Sequence, residues 1–289
     1  MQTYFEHIKR LNNPDFQVIR KIADASLSHL SKGERDELWE QLYHGVPLLH
    51  SHELLCQYLC SFGNMHQAKL LDAFKQLPNS FYTQAFEIID WGCGQAMGTI
   101  NLFDYLKTKK LEHNIKKITL VEPSQEALDR GILHTSAYAS KNVKVISINK
   151  YFEDVTPEEI ESESGFPQLH IFSNILDVAQ IDLKHLASLI NQVVLSDNYL
   201  VCVGPLNPTN QRIDAFLRYF NPESIEKIYA FEDSNYVAVF MRKPATYKAR
   251  IYKLEPNTEG HLIPIEYYPT VQFHAAYELD ILNTYRKKY

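Results

Sequence analysis

The residues with the types and spacing for chemistry gather around one short turn. Asp90-Trp91-Gly92-Cys93-Gly94-Gln95-Ala96-Met97-Gly98-Thr99 follows an apolar run, and a helical pattern, INLFDYL, comes directly after it. Gly92 and Gly94, with Cys93 between them, clear side chains from a place where backbone must come close to a ligand. The helix that follows presents unpaired N–H groups carrying partial positive charge. Asp90 sets a carboxylate just before the glycines, where a ligand's ammonium or hydroxyls could reach it. Glu122 ends a second apolar run, ITLVEPS, where doubly wound folds hydrogen-bond both ribose hydroxyls of a bound cofactor. A strand–glycine–helix turn alone can be a tight connection; paired with Glu122 it reads as a cofactor site.

The elements that must position these residues fall into two textures. Residues 1–80 read as helices. Asn13-Pro14 supplies a cap and a first-turn proline before FQVIRKIADASLSHL, and Ser31 caps GERDELWEQLYH, which stops at Gly45. SHELLCQYLC and NMHQAKLLDAFKQL complete the layer as a third and fourth helix, separated by Ser61-Phe62-Gly63-Asn64-Met65-His66. That break is either a lid over the ligand or a helix–helix turn.

From Ala85 the period changes. FEIIDW, KKITLVE, NVKVISI, QLHIFSNI and NYLVCVG are short Ile- and Val-rich runs separated by helical segments, which predicts βαβ units and a parallel sheet covered on both faces. IEKIYAFED and YVAVFMRKP are parted only by Ser234-Asn235, too short for a crossover, so they are expected to close the sheet as an antiparallel hairpin. The expected fold is therefore α/β: a Rossmann-like doubly wound sheet of five parallel strands plus a C-terminal antiparallel hairpin over residues 81–244. A helical N-terminal layer (1–80), read as a lid or substrate-binding region, precedes it, and an extension (245–289) of strand-like pieces and a final helix follows. The tyrosines of that extension, Tyr267-Tyr268 among them, are expected to form a packed cover or a dimer surface.

Composition narrows the class. The 289 residues carry 29 Lys+Arg against 35 Asp+Glu, a net charge of −6, and 45% hydrophobic residues. This excludes disorder and the overall basic footprint of a nucleic-acid binder, though a local patch toward RNA stays open. No run approaches a membrane span and the first residues lack a signal peptide's apolar stretch, so a cytoplasmic location is expected. Four cysteines are too few for a disulfide scaffold.

The turn, Glu122 and the closing hairpin together resemble the class I S-adenosylmethionine-dependent methyltransferases over about residues 84–244. That family's first loop reads roughly (Asp/Glu)-x-Gly-x-Gly-x-(Gly/Ala), matched by Asp90, Gly92, Gly94 and Ala96; its second strand ends in an acidic residue, matched by Glu122. The resemblance implies S-adenosylmethionine as cofactor. Gly92 and Gly94 then approach its methionyl part, Asp90 supports its amino group or the loop, Glu122 holds the ribose, and Pro123 and Ser124 line the adenosine edge. Asn149 corresponds to the residue that accepts the adenine amino group, with Tyr151 or Phe152 available to stack on the ring. Ser173 and Asn174 face the transferred methyl and the acceptor. His170 stands where many members have Asp.

Other readings compete. A nicotinamide site wants G-x-G-x-x-G, but Met97 occupies the third glycine's place. His52, Cys56 and Cys60 recur every fourth residue like a metal face, yet on a helix the outer two lie ~12 Å apart, too far to share one zinc; no metal is expected. Radical chemistry with the same cofactor would need a third cysteine where Gly63 stands. The expected reaction is in-line attack on the sulfonium methyl by a small-molecule or protein acceptor, with His66, Asp177 and His170 as candidate bases. The alternative is a catalytically inactive methyltransferase-like interaction module.

Overall fold

The structure, a computed structural model, describes residues 2–45, 47–205, 211–221, 225–233 and 247–255. The apolar runs become seven strands of one sheet: β1 (Ala85–Trp91), β2 (Asn114–Val121), β3 (Lys144–Ile148), β4 (Gln168–Ser173), β5 (Asn198–Gly204), β6 (Ile225–Asp233) and β7 (Tyr247–Leu254), in the order β3-β2-β1-β4-β5-β7-β6. The first five run parallel; β7 pairs antiparallel with both β5 and β6. The five parallel strands and the antiparallel closing pair match the expected Rossmann-like class.

One strand of that pair is not the expected one. The partner of β6 is Tyr247–Leu254, from the segment read as the start of the extension. The run 236–244, expected as the second arm, lies outside the described residues, as do the later strand-like pieces, the final helix and the tyrosines of residues 260–289.

Strand alternation sorts the core into two layers. Ile88, Ile171 and Val201 face one side with α6 (Met97–Lys109), while Ile89, Phe172 and Leu200 face the other with the helix Leu183–Asn191. Each of these six is 0% exposed; burying a side chain of this size contributes ~1.5–3 kcal/mol, so both helix layers are bound to the sheet by the same strands. Neighbours in register across β1 and β2, Glu87 and Lys117 form a buried ion pair at 3.0 Å. Lys117 Nζ also donates to Glu161 O, and Gln168 Nε2 donates to Glu87 Oε2, so both charges have further partners.

The helical layer comprises α1 (Gln2–Lys9), α2 (Phe16–Ser26), α3 (Lys32–Gln41), α4 (His52–Phe74) and the short α5 (Asn79–Thr83). α2 is capped by Asp15, whose side chain accepts from Gln17 N, rather than by Asn13. α3 begins with a capping box between Ser31 and Glu34. The expected break at 61–66 does not exist: α4 runs through it for 23 residues. Gly63 is there for packing, because a Cβ on it would lie 2.8 Å from Phe16 Cζ of α2. Asn64 accepts from Gln17 of the same helix rather than capping a turn.

α4 joins the layers. Its first half places Cys56 and Leu59 in a cluster with Phe16, Ile19 and the start of α6, while Leu70, Ala73 and Phe74 pack in the sheet's core. Residues Met1–Glu259 accordingly form one compact unit. Among the described residues no helix is long and apolar enough to cross a membrane.

Candidate functional site

The turn after β1 is built from left-handed backbone. Gly92, Gly94 and Ala96 have φ of +56°, +52° and +60°, a region that costs any residue with a Cβ ~1–2 kcal/mol. The two glycines have different neighbours. A Cβ on Gly92 would strike Ile175 Cγ1 at 2.7 Å, so that position is closed by protein packing, whereas a Cβ on Gly94 would meet nothing within 4 Å. Both line a cavity of about 640 Å³, but only Gly94 opens a free path from backbone to its interior.

Glu122 projects from the end of β2 into this cavity, 7% exposed. Its Oε2 accepts from Gly94 N at 2.9 Å and its Oε1 from Ser124 N at 2.9 Å. The carboxylate brackets the glycine turn and still has lone pairs for a ligand's hydroxyls. Burial pushes its pKa up, opposed by the two backbone amides. Pro123, Tyr151, Phe152 and the Cys93 side of the turn complete this end, Tyr151 being 55% exposed.

Asp90 is elsewhere. It is 1% exposed beneath the turn, where its Oδ2 accepts from Thr99 N and Thr99 Oγ1 at 2.9 and 2.8 Å. It tethers the first turn of α6 and does not line the cavity, which among its two expected roles favours loop support. Burial raises its carboxyl to about 7 against those two hydrogen bonds. Ser124 also turns away: it caps α7 (Gln125–Tyr138) and donates from Oγ to Leu49 O at 2.7 Å. Asn149 lies outside the cavity and donates from Nδ2 to Glu122 O and Pro123 O, bracing the backbone that carries the carboxylate.

The cavity's other walls come from the helical layer and from the segment after β4. Gly45, Pro47, Leu48 and Leu49 line it from the segment between α3 and α4, Leu55, Tyr58 and His66 from α4, and Ser173, Asn174, Ile175 and Val178 from the end of β4 and the residues after it. Gly45, at φ +83°, sits so close to the Tyr58 ring that a Cβ would lie 2.6 Å from Cε2.

At the end of β4 a polar cluster forms. Lys69 Nζ donates to Asn174 Oδ1 at 2.6 Å, Asn174 Nδ2 meets His66 Nδ1 at 2.6 Å, and His66 Nε2 meets Tyr58 Oη at 3.2 Å. Asn174 holds the left-handed conformation, φ +59°. Lys69 is 1% exposed and burial lowers its amine to about 7, with Asp177 opposing. Burial and the nearby Lys69 hold the imidazole of His66 neutral. Both of its nitrogens are engaged, so it is not placed to take a proton from an acceptor.

His170 fails as a base for another reason. It is wholly buried in the core, stacked on Trp91 at 6.2 Å, receives the Trp91 Nε1 proton at Nδ1, and does not line the cavity; burial lowers it to about 3. Asp177 does not line the cavity and acts electrostatically on Lys69. Lys69 and Tyr58 escaped the sequence reading. The available signal was a lone lysine in the apolar stretch AKLLDAF, one turn after His66 and on the same helix face.

The His52–Cys56 face has a different occupant. Arg130 of α7, 2% exposed, donates to His52 Nδ1, His52 O, Cys56 Sγ and Gln95 Oε1, and lies 4.2 Å above the Tyr4 ring. This network fastens the glycine turn to α1 and α4.

No protein-family model matches this chain, and no curated protein matches it in sequence. Among solved structures the chain is similar to a SAM-dependent methyltransferase from Leishmania major, at 12% identity and TM-score 0.46, over 76% of this chain and 82% of the other. It is also similar to the N-methyltransferase NodS from Bradyrhizobium japonicum in complex with S-adenosyl-L-homocysteine, at 11% identity and TM-score 0.47, over 75% and 98%. A TehB-like SAM-dependent methyltransferase from Corynebacterium glutamicum matches at 15% identity and TM-score 0.41, over 77% and 97%. At such identities any functional reading rests on this chain's own residues. Its own sheet order and antiparallel closing pair are those of a Rossmann-like α/β fold, with the glycine turn after β1 bracketed by Glu122.

Proposed function

We propose that the cavity holds S-adenosylmethionine and that the chain is a methyltransferase whose acceptor, a small molecule or a protein side chain, enters the same cavity. The observation that carries this reading is the Glu122 carboxylate, which pins Gly94 by its amide while lining an open cavity beside the bare face of that glycine. A polyhydroxyl ligand fits there: the carboxylate retains lone pairs for vicinal hydroxyls, and Tyr151 and Phe152 offer aromatic faces to a planar ring.

The cofactor supplies an electrophilic methyl group on a sulfonium. The chain supplies position and dryness. Leu48, Leu49 and Leu55 wall the cavity with hydrocarbon, and the Ser124–Leu49 hydrogen bond ties residues 47–49 to the residues that follow β2.

The test is transfer of a labelled methyl group from S-adenosylmethionine into a cell extract by the full chain. Labelled product that disappears with Glu122→Ala and Gly94→Asp supports the proposal. An extract left unlabelled, or labelled equally by both variants, contradicts it.

A further inference from the structure

We infer that the methyl acceptor is an apolar small molecule presenting a negatively charged oxygen, a carboxylate or phenolate, and that the hydroxyls of Tyr58 and Ser173 hold that oxygen. The transfer step rests on the cofactor reading above; the oxygen-binding site does not.

Lys69 sets the direction of the hydrogen bonds at the end of β4. An amino group with its protons on has donors and no acceptor to offer, so the Asn174 atom 2.6 Å from it is the carbonyl oxygen. That fixes the amide's orientation. Its nitrogen, which only donates, faces His66 Nδ1 at 2.6 Å and Ser173 Oγ at 3.1 Å. His66 Nδ1 therefore carries no proton, and the neutral ring holds its proton on Nε2, which donates to Tyr58 Oη at 3.2 Å. Protons point one way along the chain, from Lys69 through Asn174 to His66 and Tyr58, with a side branch to Ser173.

Both hydroxyl oxygens at the ends of this chain are acceptors already, and each retains an O–H to give. Tyr58 and Ser173 both line the cavity, whose neighbouring wall is Leu55, Val178 and Ile181. Burial, with Asp177 and Glu122 nearby, raises the Tyr58 phenol, which keeps it a donor. Two donors polarised from a buried amine, beside a hydrocarbon wall, match an oxygen anion on an apolar body.

The same wiring withdraws the three bases expected from the sequence. His66 has both nitrogens spent, His170 is in the core, and Asp177 is not on the cavity wall. An anionic oxygen needs none. Its electron pair forms the new O–CH₃ bond, the pair of the broken S–CH₃ bond stays on sulfur, the two charges cancel and no proton moves.

Calorimetry on the full chain, with and without saturating S-adenosylhomocysteine, tests this with octanoate, 4-nitrophenolate and octylamine as probes. The better-bound oxyanion is expected to exceed octylamine by about tenfold or more, the ratio of its two arms telling carboxylate from phenolate. Tyr58→Phe and Ser173→Ala are each expected to weaken the oxyanion about tenfold, a charge-assisted hydrogen bond's worth, with unchanged circular dichroism and melting temperature as the folding control. Octylamine binding as well as the oxyanions, failure of both oxyanions to bind, or full oxyanion affinity in both variants overturns the inference. S-adenosylhomocysteine binding without oxyanion preference sinks this inference alone; oxyanion preference without S-adenosylhomocysteine binding sinks the cofactor reading alone.

Discussion

Asp90→Asn isolates the effect of a carboxylate sealed under the glycine turn. In the folded chain burial raises Asp90 from 3.8 to about 7, while Thr99 holds it back with two hydrogen bonds. The folded state thus binds a proton that the unfolded state has released between pH ~4 and ~7, and stability falls as pH rises through that window. At 1.36 kcal/mol per unit, about three units correspond to a loss of ~4 kcal/mol, complete above pH ~7. Asn keeps a carbonyl oxygen for Thr99 and has no charge to desolvate. Urea unfolding of both proteins from pH 4.5 to 8.5 reads the difference, and subtracting one curve from the other removes the contributions of the buried histidines, which run the opposite way. The stability of Asp90→Asn relative to the parent is expected to climb by most of that amount between pH 4.5 and 7.5, then level off. Parallel curves would refute the reasoning.

Three further outcomes follow from the packing. Lys117→Met leaves the Glu87 carboxylate buried without its ion-pair partner and is expected to lower stability by ~3–5 kcal/mol, with Glu87→Leu added recovering much of it in chemical denaturation. Gly63→Val forces Phe16 away from α4 and is expected to lower stability by ~1–3 kcal/mol, an overpacking cost; an unchanged denaturation midpoint would show that the helix contact is looser than the structure has it. Ser124→Ala loses the α7 cap and the tie to Leu49. The expected result is ~1 kcal/mol of stability lost and faster proteolysis within residues 45–49, both readable on one gel series.

The parts legible in the sequence were those dictated locally. Gly94 must be glycine for its left-handed backbone and its open face, and Glu122 ends its strand within reach of that turn, so residue type and position carried the site. The central parallel strands, β1, β4 and β5, announced themselves because both of their faces are buried, which makes their sequences near-continuous apolar runs. What failed depended on distant partners. Gly63 has the composition of a break, but α2 rests on it and the helix continues. Two strand-like runs competed to pair with β6, and nothing local to 247–254 shows that it inserts between β5 and β6. His170 has the residue type of a base and the surroundings of a core residue, a distinction made by Trp91, 79 positions away. Lys69 gained its importance only when β4 brought Asn174 to it.

The most direct test of the central claim is the affinity of the full chain for S-adenosylhomocysteine by calorimetry, set beside Glu122→Ala and Gly94→Asp. The account predicts micromolar binding, near −8 kcal/mol, weakened by at least ~1.5–3 kcal/mol when the Glu122 carboxylate is removed. Gly94→Asp, which fills the open face of the turn with a carboxylate, is expected to abolish the signal. No binding by the parent chain, or equal binding by all three proteins, would contradict it.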